Sequence, residues 1–163
     1  MLKLAFPLVV TMAATAQLRI EKTEYKGWPN CYRVTNGEIE LVITSDVGPR
    51  VMRCAFVGGQ NLFMEFKDQL GKSGEREFQL RGGHRLWVAP EQLATTWAPD
   101  NVPVKIDVRG AVVTATAPIE PSTGLQKVIT LKMAASGGGV EVLHRVKNTT
   151  PWVIELAPWA MTM

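Results

Sequence analysis

Alternation of apolar and polar side chains in short segments is the feature that most restricts the fold of this 163-residue chain. A period of two places successive side chains on opposite faces of a β-strand, so that one face is buried and the other is solvated. Glycine and proline turn residues separate the segments at roughly regular spacing, and helical periodicity is absent over any useful length. The sequence therefore predicts an all-β fold, an antiparallel β-sandwich. The predicted strands include residues 39–44, 52–56, 104–109, 112–117, 129–133 and 140–146.

The first 16 residues have the composition of a secretory signal peptide. Lys3 supplies a positive charge, residues 4–12 are largely apolar, and Ala14-Thr15-Ala16 forms a small-residue cleavage site. This apolar run is shorter than the roughly 20 residues that a membrane-spanning helix needs. A buried first strand is the alternative, which Pro7 disfavours. We therefore expect an exported protein, periplasmic or extracellular and without a membrane span, in which residues 17–163 form one domain.

The charges of this expected domain are nearly balanced and scattered. Lys3 is the only charged residue among the first 16, so residues 17–163 carry 17 basic and 15 acidic side chains. A nucleic-acid-binding protein usually concentrates its basic residues on one face. Nucleic acid is therefore not expected as a partner.

Cys31 and Cys54 are the only cysteines, and both lie in strand-like segments. Export would permit a disulfide between them. Two buried thiols are the favoured interpretation, because free cysteine behaves as a small apolar residue and a domain of this size does not need a covalent link. Since the cysteines lack a zinc-type spacing with histidine, neither a metal site nor a cofactor is expected.

Residues 81–101 differ from the rest of the chain in their concentration of chemically active side chains. They include two of the five tryptophans, one of the two histidines, two arginines and two acids, beside a pair of glycines. Glycine lets the backbone approach a ligand closely, and tryptophan with arginine offers a flat apolar surface beside directional donors. We interpret the segment as a ligand-binding loop on a strand-rich scaffold, the alternative being a loop held to the core by its tryptophans.

A small carbohydrate is the ligand that these residue types favour. In binding, a tryptophan stacks on the sugar ring, arginines donate to hydroxyl or carboxylate oxygens, and an aspartate accepts from hydroxyls. The candidates for these binding roles are Arg81, Arg85, Trp87, Trp97 and Asp100. Opening a sugar ring would also require an acid and a base, which His84 and Glu91 could supply. Binding alone asks less of the sequence and is the favoured interpretation.

Three further side chains are ambiguous between the core and a site. His144 shares the apolar phase of residues 140–146, where an imidazole is more often a hydrogen-bonded core residue than a ligand or an acid. Trp152 and Trp159 are both expected to pack in the core.

The polar, glycine-containing segment 67–80 is the longest expected loop, and its length is typical of an element near a ligand.

Several short motifs occur in an order that resembles a known superfamily. They are the strand 39–44 with Asp46-Val47-Gly48-Pro49-Arg50-Val51, the turn Gly59-Gln60-Asn61-Leu62-Phe63, Arg81-Gly82-Gly83 with Trp87 and Pro90, and Asn148-Thr149-Thr150-Pro151 with residues 156–159. Over residues 28–161 this order resembles the N-terminal part of the galactose mutarotase-like domain, a supersandwich shared by aldose 1-epimerases and related carbohydrate-recognising families. His84-Arg85-Leu86-Trp87, Ala89-Pro90-Glu91 and Pro99-Asp100-Asn101 are most similar to an uncharacterised branch of that superfamily.

The resemblance implies carbohydrate recognition, with aldose 1-epimerase chemistry as the alternative. In those epimerases a histidine soon after an Asn-x-x-Pro-like motif at the end of a strand is the general acid. The corresponding residues here, 156–159, read Leu-Ala-Pro-Trp and include no histidine. The glutamate that is the family's base belongs to the C-terminal half of the domain. The resemblance therefore implies an incomplete supersandwich, and an exposed sheet edge would allow a third function, pairing with another chain in a homo-oligomer.

Overall fold

The computed structural model describes residues 18–163, and the expected signal peptide, residues 1–16, lies outside this range. Within it the chain forms ten strands and one turn of 3-10 helix, which confirms the all-β prediction. The 3-10 turn spans Lys67–Gln69 in the long loop. The strands are β1 (Arg19–Tyr25), β2 (Trp28–Thr35), β3 (Ile39–Thr44), β4 (Arg50–Phe56), β5 (His84–Ala89), β6 (Lys105–Arg109), β7 (Val112–Thr116), β8 (Leu125–Met133), β9 (Val140–Asn148) and β10 (Ala157–Thr162).

The strands form two antiparallel sheets, as a β-sandwich requires. The larger sheet has six strands in the order β1-β2-β3-β4-β5-β10, and the smaller sheet has four in the order β6-β7-β8-β9. Strands that are adjacent in the larger sheet follow one another in the chain except at β10, which returns from the smaller sheet to pair with β5. That return places the last strand beside the segment predicted to bind a ligand.

The two faces of the larger sheet are covered differently. Leu41 of β3 and Ile129 of β8 belong to the main core, which lies between the sheets. On the opposite face, which we call the outer face, Trp28 and Met52 are buried in a second apolar cluster. The indole nitrogen of Trp28 donates to the carbonyl of Lys72 at 2.9 Å, so the long loop packs over this face. The outer face is therefore covered by loops and not by another sheet.

The segment predicted to be a loop, residues 81–101, contains a central strand instead. β5 lies between β4 and β10 in the larger sheet. Leu86 belongs to the core between the sheets, whereas the neighbouring Arg85 and Trp87 project to the outer face and are equally buried. Because both faces of β5 are buried, its sequence lacks the alternation that identifies half-exposed strands, and the loop prediction was wrong.

Cys31 and Cys54 are free thiols, as favoured from the sequence, but only Cys31 is buried and Cys54 is half-buried. Cys31 lies in the outer cluster, and Cys54 packs against the core between the sheets. β3 separates their strands, and two strand spacings amount to about 10 Å, whereas a disulfide spans at most about 7 Å. Burial raises the pKa of the Cys31 thiol to about 11, so this group is protonated at neutral pH.

The two C-terminal tryptophans have different environments. Trp159 of β10 is half-buried, and its ring meets that of Trp87 with centroids 5.4 Å apart. Trp152 is 75% exposed, so the prediction that it packs in the core was wrong. It lies in residues 151–155, which cross from the smaller sheet to the larger one with every residue exposed. The aromatic residue type indicated burial, but the crossing segment lies on the surface.

Candidate functional site

Three arginines and one aspartate form a buried cluster on the outer face of the larger sheet. Arg50 of β4 and Arg85 of β5 are cross-strand neighbours, with side chains 0% and 1% exposed. Nη2 of Arg50 donates to both carboxylate oxygens of Asp100 at 2.9 and 3.1 Å, and Nη2 of Arg85 donates to Oδ2 at 3.0 Å. Burial alone would raise the pKa of Asp100, but the two guanidinium charges hold that pKa below its usual value. We call Arg50, Arg81, Arg85 and Asp100 the arginine cluster.

Arg81 connects the arginine cluster to two loops. Its Nη1 donates to the carbonyl of Gln69 and its Nη2 to Oδ1 of Asn101, both at 3.0 Å. Its guanidinium also forms an ion pair with Glu75. The backbone of Arg81 has a φ of 54°, a left-handed conformation that a residue with a side chain adopts only when its surroundings hold it. These contacts supply that restraint.

Aromatic rings surround the guanidinium group of Arg85. Its Cζ lies 4.6 Å from the ring centroids of both Phe78 and Trp87, which is cation–π geometry. The ring of Trp87 also meets that of Trp97, with centroids 5.3 Å apart. Burial lowers the pKa of Arg85 to about 9, so the group remains charged at neutral pH.

The structure brings together the five side chains predicted to bind a ligand, but most of them contact one another. Arg81, Arg85 and Trp87 are no more than 3% exposed. In the described part of the chain, the Nε atoms of these two arginines and Nε1 of Trp87 are buried without a hydrogen-bond partner. Trp97 is half-buried, and Asp100 is 8% exposed and faces a groove. Asp100 is therefore the member of the arginine cluster that lines this groove.

That groove, which we call the acidic groove, has a volume of about 340 Å³. Two carboxylates line it, Asp100 and Glu120, and the latter was not predicted from the sequence. Glu120 accepts from Nζ of Lys127 and from Oγ1 of Thr123, at 2.6 and 2.7 Å. The other lining residues are apolar or glycine: Gly48, Pro99, Val102, Ala117, Pro118, Ile119 and Pro121.

One sequence signal, the position of Lys127, could have indicated that a buried acid is present. Lys127 lies on the inward phase of β8 with Ile129, Leu131 and Met133, and it is 2% exposed. A lysine in an apolar phase is buried only when an acid pairs with it. The sequence does not identify that acid, because Glu120 lies in a turn where a solvated glutamate is equally compatible with the pattern.

A second cavity, the inter-sheet cleft, lies between the two sheets and has a volume of about 260 Å³. Nε2 of His84 lies 2.7 Å from Nε2 of His144, and Nδ1 of His84 lies 2.7 Å from Oγ1 of Thr162. The ring of Phe63 stacks near His84 with centroids 6.5 Å apart. His144 is thus half-buried and hydrogen-bonded, in agreement with the favoured interpretation. His144 adjoins the cleft through His84, and the cleft itself is lined by His84, Phe63, Thr162, Leu41, Val51, Cys54, Leu131, Val140 and Val142.

The structure does not bring the predicted acid–base pair together. His84 and Arg85 project to opposite faces of β5, so the histidine is separated by the sheet from the arginine cluster. His84 begins β5 and Ala89 ends it, a length of about 16 Å at the usual rise per residue. Glu91 lies beyond that end and is exposed. The spacing of the two residues in the sequence carried no information about this separation.

His84 and the adjoining His144 are both mainly neutral at pH 7. Burial, with a smaller contribution from His144, lowers the pKa of His84 to about 4. Burial also lowers the pKa of His144 from its usual value. At this distance one Nε2 atom must carry a hydrogen and donate it, and the other must accept through its lone pair.

We expect the stability of the protein to fall as the pH is lowered from about 6.5 toward 4. A histidine whose pKa is lowered in the folded state stabilises the fold fully above its unfolded pKa of about 6.5, and this contribution is lost as the pH falls toward the folded value. Urea unfolding at a series of pH values would measure the loss. The double variant His84→Gln/His144→Gln should be less pH-dependent over this range, and an unchanged dependence would contradict the interpretation.

No protein-family model, curated protein or solved structure matches this chain. Among residues 18–163 no helix is long and apolar enough to cross a membrane. The same residues contain no group of three or more histidine, cysteine, aspartate or glutamate side chains that could hold a metal ion. Fold and site thus define an antiparallel β-sandwich with an acidic groove lined by connections of both sheets and a cleft between the sheets that His84 lines. The resemblance to galactose mutarotase-like domains stays a prediction.

Proposed function

We propose that this protein is a carbohydrate-binding β-sandwich domain and that the acidic groove holds the sugar. The observation that carries the proposal is the pair of carboxylates, Asp100 and Glu120, that line an apolar groove while buried cations hold them from the interior. Such carboxylates are fixed acceptors that need no reorganisation when a ligand arrives.

The chemistry of the acidic groove favours a neutral polyhydroxylated ligand. Sugar hydroxyls donate to carboxylate oxygens, and the apolar face of a sugar ring packs against side chains such as Pro118 and Ile119. Arg50, Arg85 and Lys127 place three positive charges against the two carboxylates. A metal ion or an amine would therefore gain little electrostatic attraction, whereas a neutral hydroxyl donor has no such disadvantage.

The sequence-predicted binding residues contribute mainly by holding Asp100 in place. Arg85 binds the carboxylate directly and is itself held between Phe78 and Trp87. Arg81 binds Asn101, the next residue in the chain. We assign these arginines and Trp87 as positioning residues and Asp100 as the residue that contacts the sugar, the acceptor role expected from the sequence.

Blocking the acidic groove should weaken sugar binding without unfolding the protein. Val102 lines the groove and is 45% exposed, so Val102→Arg fills the cavity from its rim. Isothermal titration with a panel of neutral mono- and oligosaccharides should show an affinity lower by about tenfold or more, or ~1.4 kcal/mol. Val108→Arg is the matched control, because Val108 is 40% exposed on β6, outside the groove residues. Equal effects of both variants, or no binding of any sugar by the unaltered protein, would contradict the proposal.

The inter-sheet cleft supports a second candidate function, an isomerase of the aldose 1-epimerase type. The observation in its favour is the hydrogen-bonded pair His84 and His144, which offers one ring as a proton donor and the other as a proton acceptor near neutral pH. One ring could accept the proton of the anomeric hydroxyl, and the imidazolium formed in that step could then return a proton to the ring oxygen.

Polarimetry of freshly dissolved glucose or galactose tests this second candidate. The protein should accelerate mutarotation above the buffer rate, and His84→Gln should abolish the acceleration. Val102→Arg, which fills the acidic groove, should leave mutarotation unchanged, so the two candidate functions can be distinguished. A rate equal to that of buffer alone would rule out the isomerase.

A further inference from the structure

We infer that β9 is a dimer interface, through which the smaller sheet pairs antiparallel with the same strand of a second copy. The inference is independent of the acidic groove and rests on the edges of the two sheets. β1 and β10 are the edges of the larger sheet, and β6 and β9 are those of the smaller one. An edge strand carries unpaired backbone donors and acceptors that can pair with another chain, so folded proteins usually protect such edges.

Three of the four edges have a protective feature. β1 has an irregular register between Thr23 and Tyr25. β10 contains Pro158, which has no backbone N–H to donate. β6 has only five residues, three of them charged. Each of these features is one that natural proteins use to prevent pairing at a sheet edge.

β9 has neither a proline nor an irregular register and is longer than β6, although it carries the same number of charged residues, Glu141, Arg145 and Lys147. It has nine residues, contains no proline, and pairs with β8 in unbroken register over its whole length. Its backbone pairs with no other strand within residues 18–163. Leu143, at the middle of the strand, is 51% exposed. β9 is therefore the edge on which another strand can be added with the least obstruction.

The side chains of β9 are complementary to a second copy of the same strand. In an antiparallel pair centred on Leu143, this residue lies opposite Leu143 of the second copy, and Glu141 lies opposite Arg145 at both ends. All three side chains are exposed in the single chain. Apolar pairs and pairs of opposite charge are the cross-strand combinations that stabilise antiparallel sheets. The two-fold symmetry places the Glu141–Arg145 pair twice and the Leu143 pair once, on the axis.

The same register also matches the inward face. Val140 lies opposite Val146, and Val142 lies opposite His144 of the second copy. Every pair joins residues that face the same side of the sheet, which antiparallel addition requires. The smaller sheets of the two copies would then form one eight-stranded sheet, twice the four strands of each copy. Because the pairing covers only one strand per copy, we expect a weak dimer with a dissociation constant in the micromolar range, about 1–100 μM.

Charge reversal on β9 tests the dimer by sedimentation equilibrium. Glu141→Arg places like charges opposite each other at both ends of the paired strands, so the dissociation constant should rise by about tenfold or more. The double variant Glu141→Arg/Arg145→Glu restores opposite charges and should restore dimerisation. The matched control is Glu24→Arg, the same substitution at an exposed position of the β1 edge, which should leave the dissociation constant unchanged.

Two outcomes would overturn the inference. One is a protein that remains monomeric at about 200 μM, above the expected range. The other is a dimer that Glu141→Arg does not weaken, or that the double variant fails to restore although its circular dichroism spectrum is unchanged. A failed sugar titration has no bearing on these results, because β9 contributes no residue to the acidic groove.

Discussion

Replacing Asp100 with asparagine is expected to lower the free energy of unfolding by about 3–5 kcal/mol. The substitution keeps the shape of the side chain but removes the charge that Arg50 and Arg85 share. Both guanidinium groups are at most 1% exposed, so water cannot replace the lost carboxylate. The amide also puts a donor where the carboxylate had a second acceptor oxygen, and one arginine then faces an N–H group. A buried charge without its partner is among the most destabilising changes a fold can undergo.

Urea unfolding of Asp100→Asn and the unaltered protein at pH 7 would measure this effect. The control is Asp107→Asn, which removes an aspartate paired with Arg109, whose side chain is 85% exposed. Exposed ion pairs contribute little, so the control should change the free energy of unfolding by about 1 kcal/mol or less. If Asp100→Asn cost no more than this control, the arginine cluster would not depend on Asp100 for its stability.

The substitution Gly82→Ala should destabilise the protein by about 3 kcal/mol or more. Gly82 has a φ of 88°, a conformation that residues with a side chain rarely adopt. A Cβ atom at this position would overlap the backbone carbonyl oxygen of Met64, which cannot move as a side chain could. The same oxygen accepts from the N–H of Gly83 at 3.0 Å, so relieving the overlap would break a backbone hydrogen bond.

Thermal and urea unfolding would both report the destabilisation by Gly82→Ala. Gly138→Ala is the matched control, because a Cβ there would meet no atom within 4 Å and no left-handed φ is required. The control should change stability by no more than about 1 kcal/mol, in the stabilising direction if it changes at all. Similar stabilities for the two variants would show that the backbone near Gly82 can relax.

Asp100→Asn and Gly82→Ala both affect how the start of β5 and the arginine cluster are held in place. Gly82 follows Arg81, and its close approach to Met64 holds the start of β5 in position. Asp100 is bound by Arg85, one of the first residues of that strand. Pre-organised acceptors lose less entropy on binding a ligand, so a rigid arginine cluster favours the proposed role of the acidic groove.

Most strands could be predicted from the sequence because each has a local pattern. β8 and β9 alternate apolar and polar residues, and the structure turns the apolar phase toward the other sheet, buried in β8 and half-buried in β9. β5 could not be predicted in the same way, since its neighbours bury both of its faces and no solvated face imposes polar residues. For the same reason Trp87 was expected to contact a ligand, whereas the structure surrounds it with other rings.

The candidate site could be predicted only in part. The residue types of segment 81–101 correctly indicated that its arginines, tryptophans and Asp100 lie together. Their accessibility was not predictable, because the loops that cover the outer face come from residues distant in the chain. Glu120 was missed for a related reason, since its partner Lys127 lies on a different element of structure.

By itself the sequence determined the class of fold and the position of most strands, because alternation and turn residues act over a few neighbouring positions. Only the tertiary structure decided which side chains share a surface. The direction in which each side chain of β5 projects depends on how this strand pairs with β4 and β10, and a shift of one residue would exchange its two faces. That pairing places Arg85 with Asp100 on the outer face and His84, in the inter-sheet cleft, against His144, 60 residues away.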